Sequence, residues 1–149
     1  QFVTAILAEI TELAEITGDT SITVINCGHP APMVLAADGR RWFADPPDEA
    51  LPLGMGSLKA SEPEPHQIPF EPGDQVLFYT DGVIEARDGT GQFYPLSARA
   101  YLLNGGDPQH ALDALRADLL RHVGRPLSDD AAMLLLRQRA ACPAASSAA

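Results

Sequence analysis

The stretch QVLFYTDG, residues 75–82, joins a strongly apolar run to an aspartate and a glycine. The run QVLFYT has the composition of a buried strand. A carboxylate at the end of such a strand either forms a turn or binds a ligand. A second acidic pair, Asp129–Asp130, directly precedes AAMLLLR, whose residues are apolar on both faces and also predict a buried strand. The fold and the site therefore depend on how these two strands lie.

If the two strands are antiparallel neighbours, the end of the first lies beside the start of the second. Asp81 and Asp129, with Asp130, would then converge at one edge of the sheet, where like charges repel unless a cation lies between them. Oxygen ligands without cysteine favour Mg²⁺ or Mn²⁺, and such an ion with exchangeable water suits phosphoryl hydrolysis. Turns and solvated strand ends use the same residues, so these positions alone leave both interpretations open.

Length and charge narrow the class of protein. The 149 residues fit one domain or a part of one, and the net charge of -10 argues against nucleic acid and anionic membranes as partners. No apolar run is long enough for a membrane span. Cys27 and Cys142 lie far apart, without metal-ligand spacing, which fits a reducing compartment. We expect a cytoplasmic protein, and the absence of an initial methionine suggests a piece of a longer one.

The remaining pattern predicts an α+β fold with mostly antiparallel strands and helices toward the C-terminus. Residues 2–10 favour a strand, although their periodicity also allows a helix. The Asp38–Gly39 pair predicts a hairpin, and the EPGD turn predicts that residues 66–70 pair with residues 75–80. The other predicted elements are a strand at 22–28, a proline-rich loop at 45–65, and helices at 96–103 and 108–123.

Four motifs carry a family resemblance: NCGHPAPMVL (26–35), LPLGM (51–55), PGDQVLFYTDGVIEARD (72–88) and SDDAAMLLLR (128–137). In order and spacing they resemble the later motifs of the SpoIIE-like phosphatases. That group is the bacterial branch of the metal-dependent PPM, or protein phosphatase 2C-type, serine/threonine phosphatases. The resemblance implies that residues 1–139 are the C-terminal part of such a domain, an incomplete αββα sandwich, followed by a flexible tail at 140–149.

The resemblance also implies roles for single residues. Asp81 and Asp129 would be ligands of a two-metal Mn²⁺ or Mg²⁺ site, with Asp130 beside them. A metal-bridging water would attack a phosphoserine or phosphothreonine of a protein similar to the anti-sigma factor antagonists. Sensory domains would be fused to the phosphatase in the full-length protein. Four further residues are expected to adjoin the site: Asn26, His29, Gly82 and Arg87.

Two of these adjoining residues have alternatives. His29 could act as an acid because the histidine pKa lies near neutrality, or it could only shape its loop. Arg87 could steer a phosphate through its forked guanidinium, or it could form an ion pair with Glu85 or Asp88. The LPLGM segment is expected to be ordered and to lie near the site.

The chain also departs from the family pattern. The early motifs, which resemble G-D-x-x-D and G-D-V-x-G-H-G and supply the metal-bridging acid, do not occur in these residues. We therefore expect little or no turnover by this chain alone. The alternative is a catalytically silent binding or regulatory module of the same fold. A third interpretation is an unrelated antiparallel domain in which both acidic pairs form turns.

Overall fold

The computed structural model describes residues 2–12, 20–48, 50–55, 62–104, 106–127 and 130–139. Within them lie seven strands and three α-helices, the second of which continues into a 3₁₀ helix, Ala100–Leu103. The strands are β1 Ala5–Glu12, β2 Thr20–Cys27, β3 Met33–Leu35, β4 Arg41–Phe43, β5 His66–Phe70, β6 Gln75–Tyr79 and β7 Met133–Arg137. The α-helices are α1 Asp81–Ile84, α2 Leu96–Arg99 and α3 Pro108–Val123.

The strands form two sheets, with the orders β1-β2-β5 and β4-β3-β6-β7, and all neighbours pair antiparallel. The predicted α+β class is confirmed. The predicted hairpin is present too, with Met33 opposite Phe43. Its turn contains Gly39 at φ 89°, a left-handed conformation that glycine adopts without strain.

Two apolar clusters hold the layers together. Side chains of both sheets form the first cluster, and the second lies between the four-stranded sheet and the helices. Strand β6 contributes two side chains to each cluster, and all five of its side chains are buried. The first cluster is built from Ile22, Val24, Val34, Ala44, Ile68, Phe70, Val76 and Phe78. The apolar run that precedes Asp81 is therefore the centre of the fold.

The predicted pairing of β5 with β6 is wrong. Strand β5 pairs with β2 in one sheet, and β6 lies between β3 and β7 in the other. The turn between them crosses from sheet to sheet, and Asp74 fixes it by accepting hydrogen bonds from the backbone of Ala37 and Glu71, at 2.8 and 3.0 Å. The physical reason is that β6 is apolar on both faces, and only a central position between two layers buries both of them.

Strand β7 is present, but the prediction that both of its faces are buried is wrong. In the part of the chain that the structure describes, β7 pairs only with β6 and ends the four-stranded sheet. Leu135 is buried, whereas Leu134 is 57% exposed. An apolar run therefore does not by itself indicate a strand that is buried on both faces.

Helix α3 forms as predicted. Asp107 caps its start by accepting a hydrogen bond from the Gln109 backbone, Pro108 occupies the first turn, and Gly124 ends it at φ 66°. Its apolar face packs into the second cluster. None of the helices among the described residues is long and apolar enough to cross a membrane.

A buried carboxylate joins α3 to the segment that precedes α2. Asp118 accepts hydrogen bonds from the Tyr94 hydroxyl and from Arg121, both at 2.9 Å, and Arg99 lies 3.4 Å from it. Burial, together with the bond to Asp118, raises the pKa of Tyr94. These bonds attach Tyr94 to α3, and the N–H of Tyr94 in turn donates to the Ala86 carbonyl at 2.8 Å.

Replacing Tyr94 with phenylalanine is expected to lower the free energy of unfolding by about 1.5–3 kcal/mol near neutral pH, the contribution of a hydrogen bond to a charged group. The pKa of Tyr94 is higher in the folded state than the value of about 10 in the unfolded chain. Its contribution is therefore fully present below pH 10 and is lost as the pH rises further. Urea unfolding of both proteins should give a difference that shrinks above about pH 10. A difference that stays constant with pH would contradict this account.

Candidate functional site

Strands β6 and β7 are antiparallel neighbours, with Tyr79 opposite Met133. Asp81 follows the end of β6, and Asp130 precedes the start of β7. These two positions therefore lie at the same edge of the sheet. Asp129 falls outside the described residues, so its place relative to Asp81 stays a prediction.

Thr80 joins the two sides of this edge. Its backbone N–H donates to the carbonyl of Ala132 at 3.1 Å, and its hydroxyl accepts from the N–H of Ala132 at 3.0 Å. The same hydroxyl donates to the carbonyl of Asp130 at 3.1 Å. Residues 130–132 are thus held beside Asp81 by a side chain that the sequence interpretation did not single out. A threonine directly before the aspartate was the available signal.

Gly82 permits a close backbone approach at the same edge. A Cβ atom at this position would lie 2.4 Å from the carbonyl oxygen of Asp130, closer than real Cβ contacts allow. Asp81 is exposed and begins helix α1, and its Oδ1 accepts a hydrogen bond from the N–H of Gly82 at 2.9 Å. The structure therefore brings together Asp81, Gly82 and the backbone of Asp130.

The chemistry of these groups fits part of a site for a hard cation. Among the described residues no group of three or more His, Cys, Asp or Glu side chains could hold a metal ion. Mg²⁺ commonly binds proteins through only one or two carboxylates and keeps several waters. Asp81 and Asp130 lie at one sheet edge, and their carboxylate oxygens are the kind of donor that such an ion prefers.

Asn26 and His29 lie at the same end of the sandwich as Asp81. Gln138, just after β7, donates a 2.8 Å hydrogen bond to Thr20, which begins β2. The start of β2 therefore lies where β7 ends, and the end of β2 lies where β7 begins. Tyr79 lies at this end too. Burial, and to a smaller extent the negative charge of Asp45, raises the pKa of Tyr79 to about 12.

The contacts of His29 support its role in shaping the loop. The amide of Asn26 donates to the His29 carbonyl and accepts from the His29 N–H, both at 2.8 Å. The Nδ1 atom of His29 lies 3.1 Å from the Pro30 carbonyl. These bonds close the NCGHP turn. A cavity of about 250 Å³ beside it is lined by residues that include Asn26, His29 and Asp45.

The LPLGM segment packs against this turn. A Cβ atom on Gly28 would lie 2.7 Å from Pro52, so the glycine allows the two segments to touch. Leu53 exchanges backbone hydrogen bonds of 2.8 and 3.0 Å with Val3. The described part of the proline-rich loop is thus attached near the end of β2. That LPLGM lies near a metal site stays a prediction.

The family model of Stage II sporulation protein E (SpoIIE) matches residues 1–139 of the chain. The chain belongs to the SpoIIE family. The structure of the SpoIIE phosphatase domain from Bacillus subtilis, presoaked with Mn, superimposes with a TM-score of 0.68 at 19% identity. That match covers 94% of this chain and 58% of the other, so the chain spans little more than half of that domain.

Two further structures are similar to this SpoIIE-family chain. The RsbU and RsbW domains of Rv1364c from Mycobacterium tuberculosis match with a TM-score of 0.61 at 27% identity, over 87% of this chain and 40% of that one. The catalytic domain of the serine threonine protein phosphatase PstP, in complex with 2 manganese ions, matches with a TM-score of 0.58 at 15% identity, over 89% and 57%. The expected phosphatase-type sandwich fold is confirmed.

Arg87 of the SpoIIE-family chain does not form the expected ion pair. Its guanidinium carbon lies 3.9 Å from the centre of the Phe93 ring, and Nη1 donates to the Gly91 carbonyl at 3.4 Å. Neither Glu85 nor Asp88 forms a salt bridge with it in the described part of the chain. Asp88 instead accepts hydrogen bonds from Thr90 and Gln92, which close the turn before Phe93. The sequence had given no indication of this contact between Arg87 and an aromatic ring.

Proposed function

We propose that this chain is part of an enzyme that dephosphorylates phosphoserine or phosphothreonine on a bacterial signalling protein. The observation that carries the proposal is the convergence of Asp81 and Asp130 at one sheet edge, where Thr80 bonds to the Asp130 carbonyl. Membership of the SpoIIE family and the fold of known serine/threonine phosphatases support it.

In this proposal Asp81, Asp129 and Asp130 hold Mn²⁺ or Mg²⁺. The two manganese ions of PstP and the Mn presoak of SpoIIE support metal dependence. A bound metal would neutralise phosphoryl oxygens and lower the pKa of an attacking water. Asp81 supplies an exposed carboxylate for this purpose. Thr80 holds the backbone of residues 130–132 beside it, and Gly82 leaves room for their close approach.

We further propose a protein of the anti-sigma factor antagonist type as the substrate. The similarity to a chain with RsbU and RsbW domains supports a regulatory protein as partner. The cytoplasmic setting and the fused sensory domains stay predictions from the sequence.

A second candidate is a binding or regulatory module of the same fold without catalysis. The coverage of only 58% of the SpoIIE phosphatase domain favours it for this chain on its own. The two candidates differ in turnover but not in recognition of the phosphoprotein.

Metal removal tests the proposed enzyme. The full-length protein is expected to release phosphate from a phosphoserine-containing protein with Mn²⁺, to lose this activity completely in EDTA, and to regain it when Mn²⁺ is added back. Phosphate release and binding of the phosphoprotein are measured side by side. Binding without release under all conditions would favour the silent module, and activity that persists in EDTA would contradict the metal-dependent reaction.

A further inference from the structure

A cleft of about 270 Å³ lies between helix α1 and the C-terminal end of α3. Gly82 forms part of its wall and directly follows Asp81, so the cleft opens beside the candidate metal edge. Neither Asp81 nor Asp130 belongs to the residues that line it. The cleft is therefore a neighbour of that edge and not the same site. Its lining includes Gly82, Glu85, Arg87, Val123, Arg125 and Leu127.

The two arginines stand out against the charge of the whole chain. Acidic residues outnumber basic ones by 20 to 10, yet Arg87 and Arg125 line one cleft. Among the described residues, no carboxylate forms a salt bridge with either of them. Arg40 pairs with Asp38, and both Arg99 and Arg121 pair with Asp118, whereas Arg41 and Arg116 also lack a salt bridge among the described residues. Glu85 lines the same cleft, so the charges of the lining residues sum to that of one cation.

Both walls of the cleft are held by the same buried cluster. Tyr94, which bonds to Asp118, is adjacent to Phe93, the ring against which Arg87 lies. Arg125 follows Gly124, the residue that ends α3. Because Asp118 is itself a residue of α3, its bond to Tyr94 attaches the segment that contains Phe93 to this helix. The Arg87 guanidinium is already placed by Phe93 and Gly91, so this side chain loses less freedom when it binds a ligand.

We propose that this cleft binds an acidic side chain of the substrate protein, close in sequence to its phosphorylated residue. The inference rests on the proposed phosphatase function. A guanidinium forms paired, charge-assisted hydrogen bonds with a carboxylate. The phosphoryl group itself belongs at the edge with Asp81, and the cleft beside it is large enough for a flanking side chain. Arg87 and Arg125 are thus residues that determine which phosphoproteins are recognised.

The test uses the Mn²⁺-loaded full-length protein and its Arg87→Gln, Arg125→Gln and double variants. Three substrates are compared: a phosphoserine peptide with flanking glutamates, the same peptide with glutamines, and p-nitrophenyl phosphate. The double variant should lose about tenfold to a hundredfold in kcat/KM on the glutamate peptide, because two charge-assisted contacts are removed. The kcat/KM of the Arg125→Gln variant on the other two substrates should stay within about twofold, since its contact with a flanking carboxylate is then absent.

Arg41→Gln is the matched control. Arg41 is also exposed, but it lies opposite Leu35 and so at the end of the sheet that is distant from Asp81. This variant should behave like the unmodified protein on all three substrates.

Binding to the metal-free protein provides a readout that does not depend on turnover. Fluorescence anisotropy should show weaker binding of the glutamate peptide to the double variant, with a Kd increase of the same size. Equal losses on the glutamate and glutamine peptides, or a parallel loss on p-nitrophenyl phosphate, would overturn the proposal while leaving the phosphatase function intact. If the unmodified protein turns over none of the substrates, the proposed phosphatase function is wrong. Unchanged binding of the glutamate peptide to the double variant would separately overturn the proposal that the cleft binds an acidic side chain.

Discussion

Replacing Asp81 with asparagine is expected to reduce Mn²⁺-dependent phosphate release by more than about 10³-fold, since a direct metal ligand should matter more than the surrounding residues, whose loss costs 10–100-fold. Asparagine keeps a carbonyl oxygen that can accept the 2.9 Å hydrogen bond from Gly82, but it removes the negative charge. Asp81 is exposed, so the free energy of unfolding should change by less than about 0.5 kcal/mol. The variant therefore separates the charge of the carboxylate from its contribution to the fold.

Three measurements check this prediction in the full-length protein: phosphate release from the phosphoprotein, Mn²⁺ binding by calorimetry, and urea unfolding. Asp113→Asn is the matched control. Asp113 is an exposed aspartate on α3 that accepts a hydrogen bond from Gln109, and asparagine can still accept it. This control should keep full activity. Retained Mn²⁺-dependent turnover in the Asp81 variant would remove the basis of the proposed metal site.

Local patterns gave the parts of the fold that local interactions determine. The hairpin at Asp38–Gly39 follows from a turn that favours left-handed glycine, and α3 follows from its proline, its apolar spacing and its terminal glycine. The pairing of β6 with β7 was a condition of the sequence argument, and the structure supplies it. The hairpin and α3 can be predicted without knowing how the two sheets pack.

The mistakes arose where distant parts of the chain decide the structure. A tight turn between β5 and β6 is compatible with a hairpin and equally with a crossing between sheets, and only the burial of β6 on both faces distinguishes them. Arg87 does not form the expected ion pair with a neighbouring acid. Its guanidinium lies against the ring of Phe93, six residues further along the chain. At this position the proximity of Arg87 to Glu85 and Asp88 in the sequence did not predict an ion pair.

The site was predicted only in part for a similar reason. The sequence indicated Asp81 and the late acidic pair, but not the bonds by which Thr80 holds residues 130–132. It also gave no reason for Gly82 beyond turn formation, whereas the structure shows a backbone approach across about fifty residues of sequence. A glycine in the sequence can indicate a close backbone approach, but it does not identify the segment that approaches.

Replacing Gly82 with alanine is the second change with a large expected effect. Gly82 lies in helix α1 and has no positive φ, so alanine suits its backbone and would by itself favour the helix by up to about 1 kcal/mol. Its Cβ, however, would lie 2.4 Å from the Asp130 carbonyl oxygen and 2.9 Å from the carbonyl carbon. Backbone atoms that Thr80 holds by hydrogen bonds can yield only if those bonds are strained or broken.

The clash should outweigh the gain in helix propensity. We expect a net loss of about 1–3 kcal/mol in the free energy of unfolding, as for other overpacked positions. Displacement of residues 130–132 by about 1 Å should also lower kcat by about 10²-fold, because catalytic groups tolerate little misplacement. Urea unfolding and phosphate release with saturating Mn²⁺ measure the two effects.

Gly89→Ala is the control that isolates the clash from the loss of a glycine. Gly89 also has no positive φ, but no heavy atom lies within 4 Å of the position that its Cβ would take. This variant should be neutral or more stable by up to about 1 kcal/mol, because alanine restricts the unfolded chain, and its activity should be unchanged. If both variants kept full stability and activity, the segments around Gly82 and Asp130 would not be in close contact. The two acidic positions would then lack the backbone frame on which a shared metal site depends.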